Sequence, residues 1–385
     1  MNRRNPASEL YFRACCSLLF FIAAAASFQG FYTKWHFREP GVLYGAGTSN
    51  ERRFGLPEIL DGTASRPFVY RQLVPSLANS LDRLIPREIK THLYQSASNE
   101  SRFSDILLAS PVARNPAYFF RYSIVYVVTF LFAWLSVFAM YLVCRAVDFP
   151  PAVRVFAPVV MILLFPYFMS NGGYFYDYPE LAFLALAVWM ALKFDWWWML
   201  PLVAVATWNK ESFLLIIPTL FPILRQKSSR VSALIGTGAL ALASAGVYFN
   251  LRLRFQGNPG GTVLHEWRDQ LRFLAHPLNF LRWEKTYGIP AFKAFTLIPL
   301  ILIVWTALRG WRRLPLEIQR HGQIAALINF PLFFLFCAPG EIRDLSLLYI
   351  VFLLLLAANF TAEPKPLVEF KKDEVEQREF AEVAS

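Results

Sequence analysis

Apolar runs near residues 14–32, 118–144, 152–169, 180–194, 196–224, 231–250, 288–308, 323–337 and 345–360 alternate with short polar or basic segments. A helix crosses the hydrocarbon core of a bilayer with about 20 apolar residues, so the pattern predicts an all-α polytopic membrane protein with roughly nine or ten spans. The stretch 196–224 sets the count, because Asn209-Lys210-Glu211 interrupts it at its middle. Two adjacent charges at mid-bilayer are expensive. The expected solution is a hairpin of two short helices that turns at these residues.

One polar segment breaks the rhythm. About 85 mostly hydrophilic residues, 33–117, separate the first apolar run from the second. Within them Pro75 can open a helix in which Leu77, Leu81, Leu84 and Ile85 share a face before Pro86 stops it. Residues 251–287 have the same character, with Leu264, Trp267, Leu271 and Leu274 at helical spacing and Arg268 and Arg272 offset. Both read as amphipathic helices suited to a membrane surface.

Short-loop Lys and Arg set the orientation. With Arg3, Arg4 and Arg13 cytoplasmic and the hairpin in place, Arg145, Arg154, Lys193, Arg225, Lys227, Arg230, Arg309, Arg312, Arg313 and Arg320 all fall on the inner side. The outer side then receives residues 33–117, the turn from Asn171 to Glu180, the Asn209–Glu211 turn, residues 251–287 and the turn from Ala338 to Asp344. Residues 1–360 read as one membrane domain and 361–385 as a polar cytoplasmic tail. Arg3 and Arg4 followed by an apolar run and Ala23–Ser27 also have the layout of a signal peptide. The favoured reading retains this segment as the first span.

Composition agrees. The chain is 56% hydrophobic and only 17% charged, with a mean hydropathy of +0.38, which places it in a bilayer. The net charge of +11 is dispersed over loops without a Lys/Arg block, so no nucleic-acid partner is expected. The four cysteines lie in or beside apolar runs and read as packing residues.

Four polar motifs can carry chemistry. In the first loop, Asp61 offers a general base or metal ligand, and Arg66 and Arg71, flanking Tyr70, offer guanidinium forks for a phosphate. Asp177 and Glu180 stand at the start of the fourth span, where the helix dipole favours negative charge. Lys210 and Glu211 cannot face each other as helix neighbours and must each find another partner or a wet cavity. Glu341 and Arg343 sit in the Gly340–Asp344 turn before the last span. For each, the plainer account is a structural ion pair or helix cap. Neither a zinc spacing nor a nucleotide fingerprint is present, so no nucleotide or redox cofactor is expected, while a divalent metal is left open.

The layout resembles the GT-C class of polytopic glycosyltransferases. The run Arg66-Pro67-Phe68-Val69-Tyr70-Arg71-Gln72-Leu73-Val74-Pro75, the Asn209-Lys210-Glu211-Ser212 turn and the Gly340-Glu341-Ile342-Arg343-Asp344 turn are similar to a set found together in bacterial integral-membrane proteins of this class. The resemblance implies transfer of a sugar from a polyprenyl-phosphate donor to a glycan, lipid or protein acceptor on the outer face of the bacterial inner membrane. It also implies an acid of the first loop as base, here Asp61, and cations holding the lipid phosphate. In the family that acid follows the first span closely and is frequently paired, whereas here the acids are spread over Glu39, Glu51, Glu58 and Asp61. A transporter or flippase of a lipid-linked or anionic solute is the alternative, with the same charges lining a path.

Overall fold

The computed structural model describes residues 6–35, 43–44, 52–99, 106–169, 173–261 and 265–361. The described residues are mostly helical. Helix α1 covers Pro6–Tyr32. The first loop holds α2 (Leu56–Leu60), α3 (Leu73–Leu84) and α4 (Arg87–Asn99). Then come α5 (Pro116–Ala146), α6 (Pro151–Phe168), α7 (Asp177–Lys193), α8 (Leu200–Asn209), α9 (Ile217–Arg225) and α10 (Arg230–Arg254). Helices α11 (Trp267–Ala275), α12 (Leu297–Gly310), α13 (Leu316–Phe336) and α14 (Tyr349–Asn359) complete the order. Among the described residues, five helical segments are long and apolar enough to cross a membrane: residues 10–32, 116–146, 151–168, 230–254 and 342–359. Leu242, Leu308 and Leu327 are 75%, 75% and 76% exposed, as expected of side chains that meet lipid rather than water.

Local chemistry starts and stops these helices. Pro116 and Pro151 each stand at the first helical position, where no amide hydrogen is needed. The Asn115 side chain accepts from the Ala117 amide at 3.0 Å, and the Ser229 hydroxyl accepts from Ser232 at 3.2 Å, each satisfying an amide that a helix start leaves open. Helix α7 packs most extensively on α5, with α1 and α6 alongside. That packing forms the buried centre.

The interrupted stretch turns back on itself. Lys210 has extended backbone (φ −153°, ψ 125°) between α8 and a 3₁₀ segment, Glu211–Ile216, that leads into α9. The Lys227 ammonium donates to the Phe194 carbonyl, so the two ends of the stretch lie side by side and Lys210 stands at its far tip. Counting the 3₁₀ turns, the arms rise about 23 Å and about 25 Å. They are short for a span.

Among the described residues, contacts between loops gather at two ends of the bundle. At one end the Asn258 amide donates to the carbonyls of Gly62 and Ala64, both at 2.8 Å, the Arg66 amide donates to Pro259 at 2.8 Å, Gly173 to Lys34 at 2.9 Å and Gln72 to Trp208 at 3.1 Å. Gly340 packs against Phe273 at the same end. At the other, Arg313 donates to the carbonyls of Ala358 and Thr361 at 3.2 and 3.3 Å. The second end carries the basic short loops.

The seventh apolar run differs from its sequence reading. Residues 288–308 do not form one helix, because β1 (Trp283–Thr286) and β2 (Ile289–Phe292) make an antiparallel hairpin and only 297–310 is helical. Tyr287 and Gly288 both have positive φ, 54° and 81°, the signature of a two-residue hairpin turn. That turn captures the first part of the run. Lys34 donates to Glu284 of this hairpin, tying it to the end of α1; burial lowers the Lys34 pKa and raises that of Glu284.

Helices in a bilayer gain little from apolar burial against each other and rely on close packing of small residues. Gly236 of α10 shows this: a Cβ there would stand 2.4 Å from the Trp196 ring. Gly236→Val is expected to cost about 1–3 kcal/mol through overpacking, read as a lowered unfolding midpoint in detergent. Gly246→Ala on the same helix, where nothing lies within 4 Å, is expected to leave the midpoint unchanged or raise it.

Candidate functional site

Beneath the first loop, four segments remote in sequence meet in one buried polar network. The 3₁₀ turn Phe68–Tyr70 delivers Arg71. The residues before α7 and its first turn supply Tyr174, Tyr176, Asp177 and Glu180, the hairpin tip supplies Lys210 and Glu211, and the turn before α14 supplies Glu341, Arg343 and Asp344. Asp177, Glu180, Lys210, Glu341 and Arg343 are all at most 7% exposed.

Charge pairs hold the network together. Lys210 Nζ lies 2.7 Å from Glu180 Oε2, and the Ser346 hydroxyl donates to Glu180 Oε1 at 2.8 Å. Arg343 reaches Glu341 at 2.7 Å, Asp177 at 3.6 Å and Asp344 at 4.0 Å. Arg71 reaches Glu211 at 3.4 Å and donates to the Tyr176 hydroxyl. Lys210 and Glu211 thus find different partners, as adjacent residues must.

Two tyrosines organise the arginines. The rings of Tyr174 and Tyr176 stack at 5.1 Å. Arg71 lies over Tyr176 at 4.3 Å and Arg343 over Tyr174 at 4.2 Å. Planar cations on aromatic faces lose little freedom when they bind an oxyanion. Helices α7 and α8 together fix the backbone of both tyrosines, since the Tyr174 amide donates to Asp177 Oδ2 at 2.7 Å and Asn209 donates to the Tyr176 carbonyl at 3.0 Å.

The network is not closed. Arg71 Nε, Arg343 Nε and Arg343 Nη1 are buried donors without a hydrogen-bond partner, and Asp177 Oδ1, Glu211 Oε2 and the Ser212 hydroxyl are buried groups in the same condition. Each such group costs about 1–3 kcal/mol if nothing occupies it. Their types are complementary to a ligand that brings acceptor oxygens to the arginines and hydroxyls to the carboxylates.

Charge is also unbalanced. Asp177, Glu180, Glu211, Glu341 and Asp344 surround Arg71, Lys210 and Arg343, five acids to three bases. Burial drives the Glu341 pKa upward; Arg343 opposes it, and Asp344 and Asp177 add to the rise. For Arg71 burial works against the charge, and Tyr176 and Glu211 more than offset it, raising its pKa. The fold therefore binds a proton at Glu341 that the unfolded chain releases near pH 4.3. Stability from this group is full below that pH and is lost as pH rises through the raised folded value. Glu341→Gln is expected to flatten this part of the stability profile, measured as unfolding midpoint against pH; an unchanged slope would argue against a protonated Glu341.

The other sequence candidates lie elsewhere. Asp61 caps α2 and is held by α5, where the Tyr118 hydroxyl donates to Oδ2 at 2.5 Å and Arg121 to Oδ1 at 2.8 Å. Arg66 and Tyr70 neighbour one another, with Tyr248 and Arg252 of α10 nearby. No described contact joins Asp61, Arg66 or Tyr70 to the network. Glu58 keeps a buried Oε2 without a partner, and Glu39, Glu51 and Asn171 lie outside the described residues. Sequence reasoning missed Ser346 and Asn329. Asn329 bridges the Asp344 carbonyl (2.8 Å) and the Leu347 amide (3.1 Å) and so fixes the Arg343 turn; its signal is a lone amide in an apolar run.

Among the described residues no three His, Cys, Asp or Glu side chains group to hold a metal ion. Comparison with protein-family models, curated proteins and solved structures finds no match to this chain.

Proposed function

We propose that this protein is a glycosyltransferase of the bacterial inner membrane that moves a sugar from a polyprenyl-phosphate donor to an acceptor hydroxyl on the outer face. The observation that carries this reading is the set of unpartnered buried donors on Arg71 and Arg343 beside unpartnered carboxylate oxygens on Asp177 and Glu211. A phosphodiester fits the first and sugar hydroxyls fit the second. The basic short loops gather at the opposite end, which supports an outward site with both termini inside.

In the proposed reaction the acceptor oxygen attacks the anomeric carbon as its proton passes to Glu211 Oε2, and the bond from that carbon to the phosphate oxygen breaks. Lipid phosphate leaves with the bonding electrons, and Arg71 and Arg343 take up the charge that develops on it. One displacement inverts the anomeric configuration. Glu211 is the proposed base in place of Asp61, because its buried Oε2 has no hydrogen-bond partner within the network, whereas both Asp61 oxygens are engaged by Tyr118 and Arg121. The network's place at one end of the bundle supports an enzyme over a carrier, whose solute binds near the midplane.

The test is transfer of labelled sugar by the full chain in lipid vesicles, offered a panel of undecaprenyl-phosphate sugars and recovered membrane acceptors. Labelled acceptor with inverted linkage is expected. Movement of intact donor across the vesicle wall without transfer would replace the enzyme by the carrier.

A further inference from the structure

The basic end of the bundle has a pocket that the proposed reaction does not use. Between α9 and α13 lies a cavity of about 360 Å³ whose lining includes Phe221 and Ile324 on the apolar side and Arg225, Arg320 and Glu317 on the polar side. Two cations against one acid give it a positive balance. Neither arginine side chain has a hydrogen bond or ion pair among the described residues.

The face of α13 that borders this pocket continues as an apolar stripe. Arg320, Ile324, Leu327 and Phe334 recur at helical spacing. Leu327 is 76% and Phe334 43% exposed. From Arg320 to Phe334 the helix rises about 21 Å, more than the depth of one leaflet's hydrocarbon. A free anion would use only the arginines. A phospholipid uses the whole arrangement, its charged headgroup at the helix end and its chain on the stripe below.

We propose that this groove binds an anionic phospholipid, its phosphate held by Arg225 and Arg320 and one acyl chain lying along α13. The site is independent of the sugar-transfer reading, since it shares no residue with the network. Basic pockets between helices on the positively charged side of a membrane protein are suited to such headgroups.

The test is native mass spectrometry and thermal unfolding of the full chain in detergent, titrated with phosphatidylglycerol, phosphatidylcholine or inorganic phosphate. Phosphatidylglycerol is expected to be retained and to raise the unfolding midpoint, and the other two are not. Each surface cation is worth about fivefold in attraction to anionic lipid, so the doubly substituted Arg225→Gln, Arg320→Gln chain is expected to bind phosphatidylglycerol about thirtyfold more weakly. Arg309→Gln, whose guanidinium lies over Trp305 at 5.3 Å outside the groove, is expected to bind as the unaltered protein does. Equal retention of phosphatidylcholine by the unaltered chain would overturn the site without recourse to any variant. So would an equal loss in Arg309→Gln, or an equal stabilisation by inorganic phosphate.

Discussion

Arg343→Met is expected to destabilise the folded protein by about 3–5 kcal/mol, because it leaves the buried Asp177 carboxylate without the cation that faces it. Arg343 faces Glu341, Asp177 and Asp344, while Lys210 is committed to Glu180. Methionine keeps an unbranched stem, though a shorter one, and removes the cation that those acids face. Domains carry about 5–15 kcal/mol in total, so much of the protein is expected to be lost from the membrane. Arg343→Lys keeps the charge and is expected to cost less, though it forfeits the stacking on Tyr174. Equilibrium unfolding in mixed micelles measures both. A change below about 0.5 kcal/mol for Arg343→Met, the range of an ordinary surface substitution, would mean that the acids are neutral or separately solvated.

Glu211→Gln is expected to lower sugar transfer about a hundredfold to ten-thousandfold with little loss of folded protein, the usual scale for removing a general base. Glutamine keeps the size of the side chain and an oxygen for Arg71, so a structural role alone leaves rate per folded molecule intact. Asp61→Asn separates the two candidate bases. Its partners Tyr118 and Arg121 lie on α5, and its side chain is 38% exposed, so solvent screening limits the pair to about 0–1 kcal/mol. That variant is expected to lose some protein and keep its specific activity. The reverse outcome, an inert Asp61→Asn beside an active Glu211→Gln, would return the base to the first loop, where the family resemblance locates it.

Much of this arrangement is legible in the sequence because a membrane makes polar residues conspicuous. Lys210 and Glu211 interrupt an apolar stretch and Glu341 and Arg343 abut another, and the cost of charge in hydrocarbon marks each for a partner. The partners themselves are not legible. That Lys210 meets Glu180 and Arg71 meets Glu211 depends on the depth at which the hairpin tip stops, and no periodicity encodes depth. The β-hairpin at 283–292 is hidden for a different reason: its second strand is apolar enough to read as the start of a span, and only the Tyr287-Gly288 turn betrays it. The partner of Asp61 is equally hidden. An acid in a loop rich in arginine reads as chemistry, yet Arg121, the arginine that claims it, lies in a helix about 60 residues further on. Helix α4 has only a narrow apolar stripe, Ile89, Leu93 and Ala97, and of these only Ala97 is buried.

The most direct test of the network as a lipid-phosphate site compares undecaprenyl phosphate with undecaprenol, which differ only in the group that Arg71 and Arg343 would hold. Binding to the full chain is measured by native mass spectrometry, with Arg71→Lys alongside. Undecaprenyl phosphate is expected to bind and undecaprenol not, and Arg71→Lys, which keeps the charge but loses the planar fork, is expected to weaken the phosphate about tenfold. Equal binding of the two lipids, or an Arg71→Lys chain that holds undecaprenyl phosphate as tightly as the unaltered protein, would contradict the account.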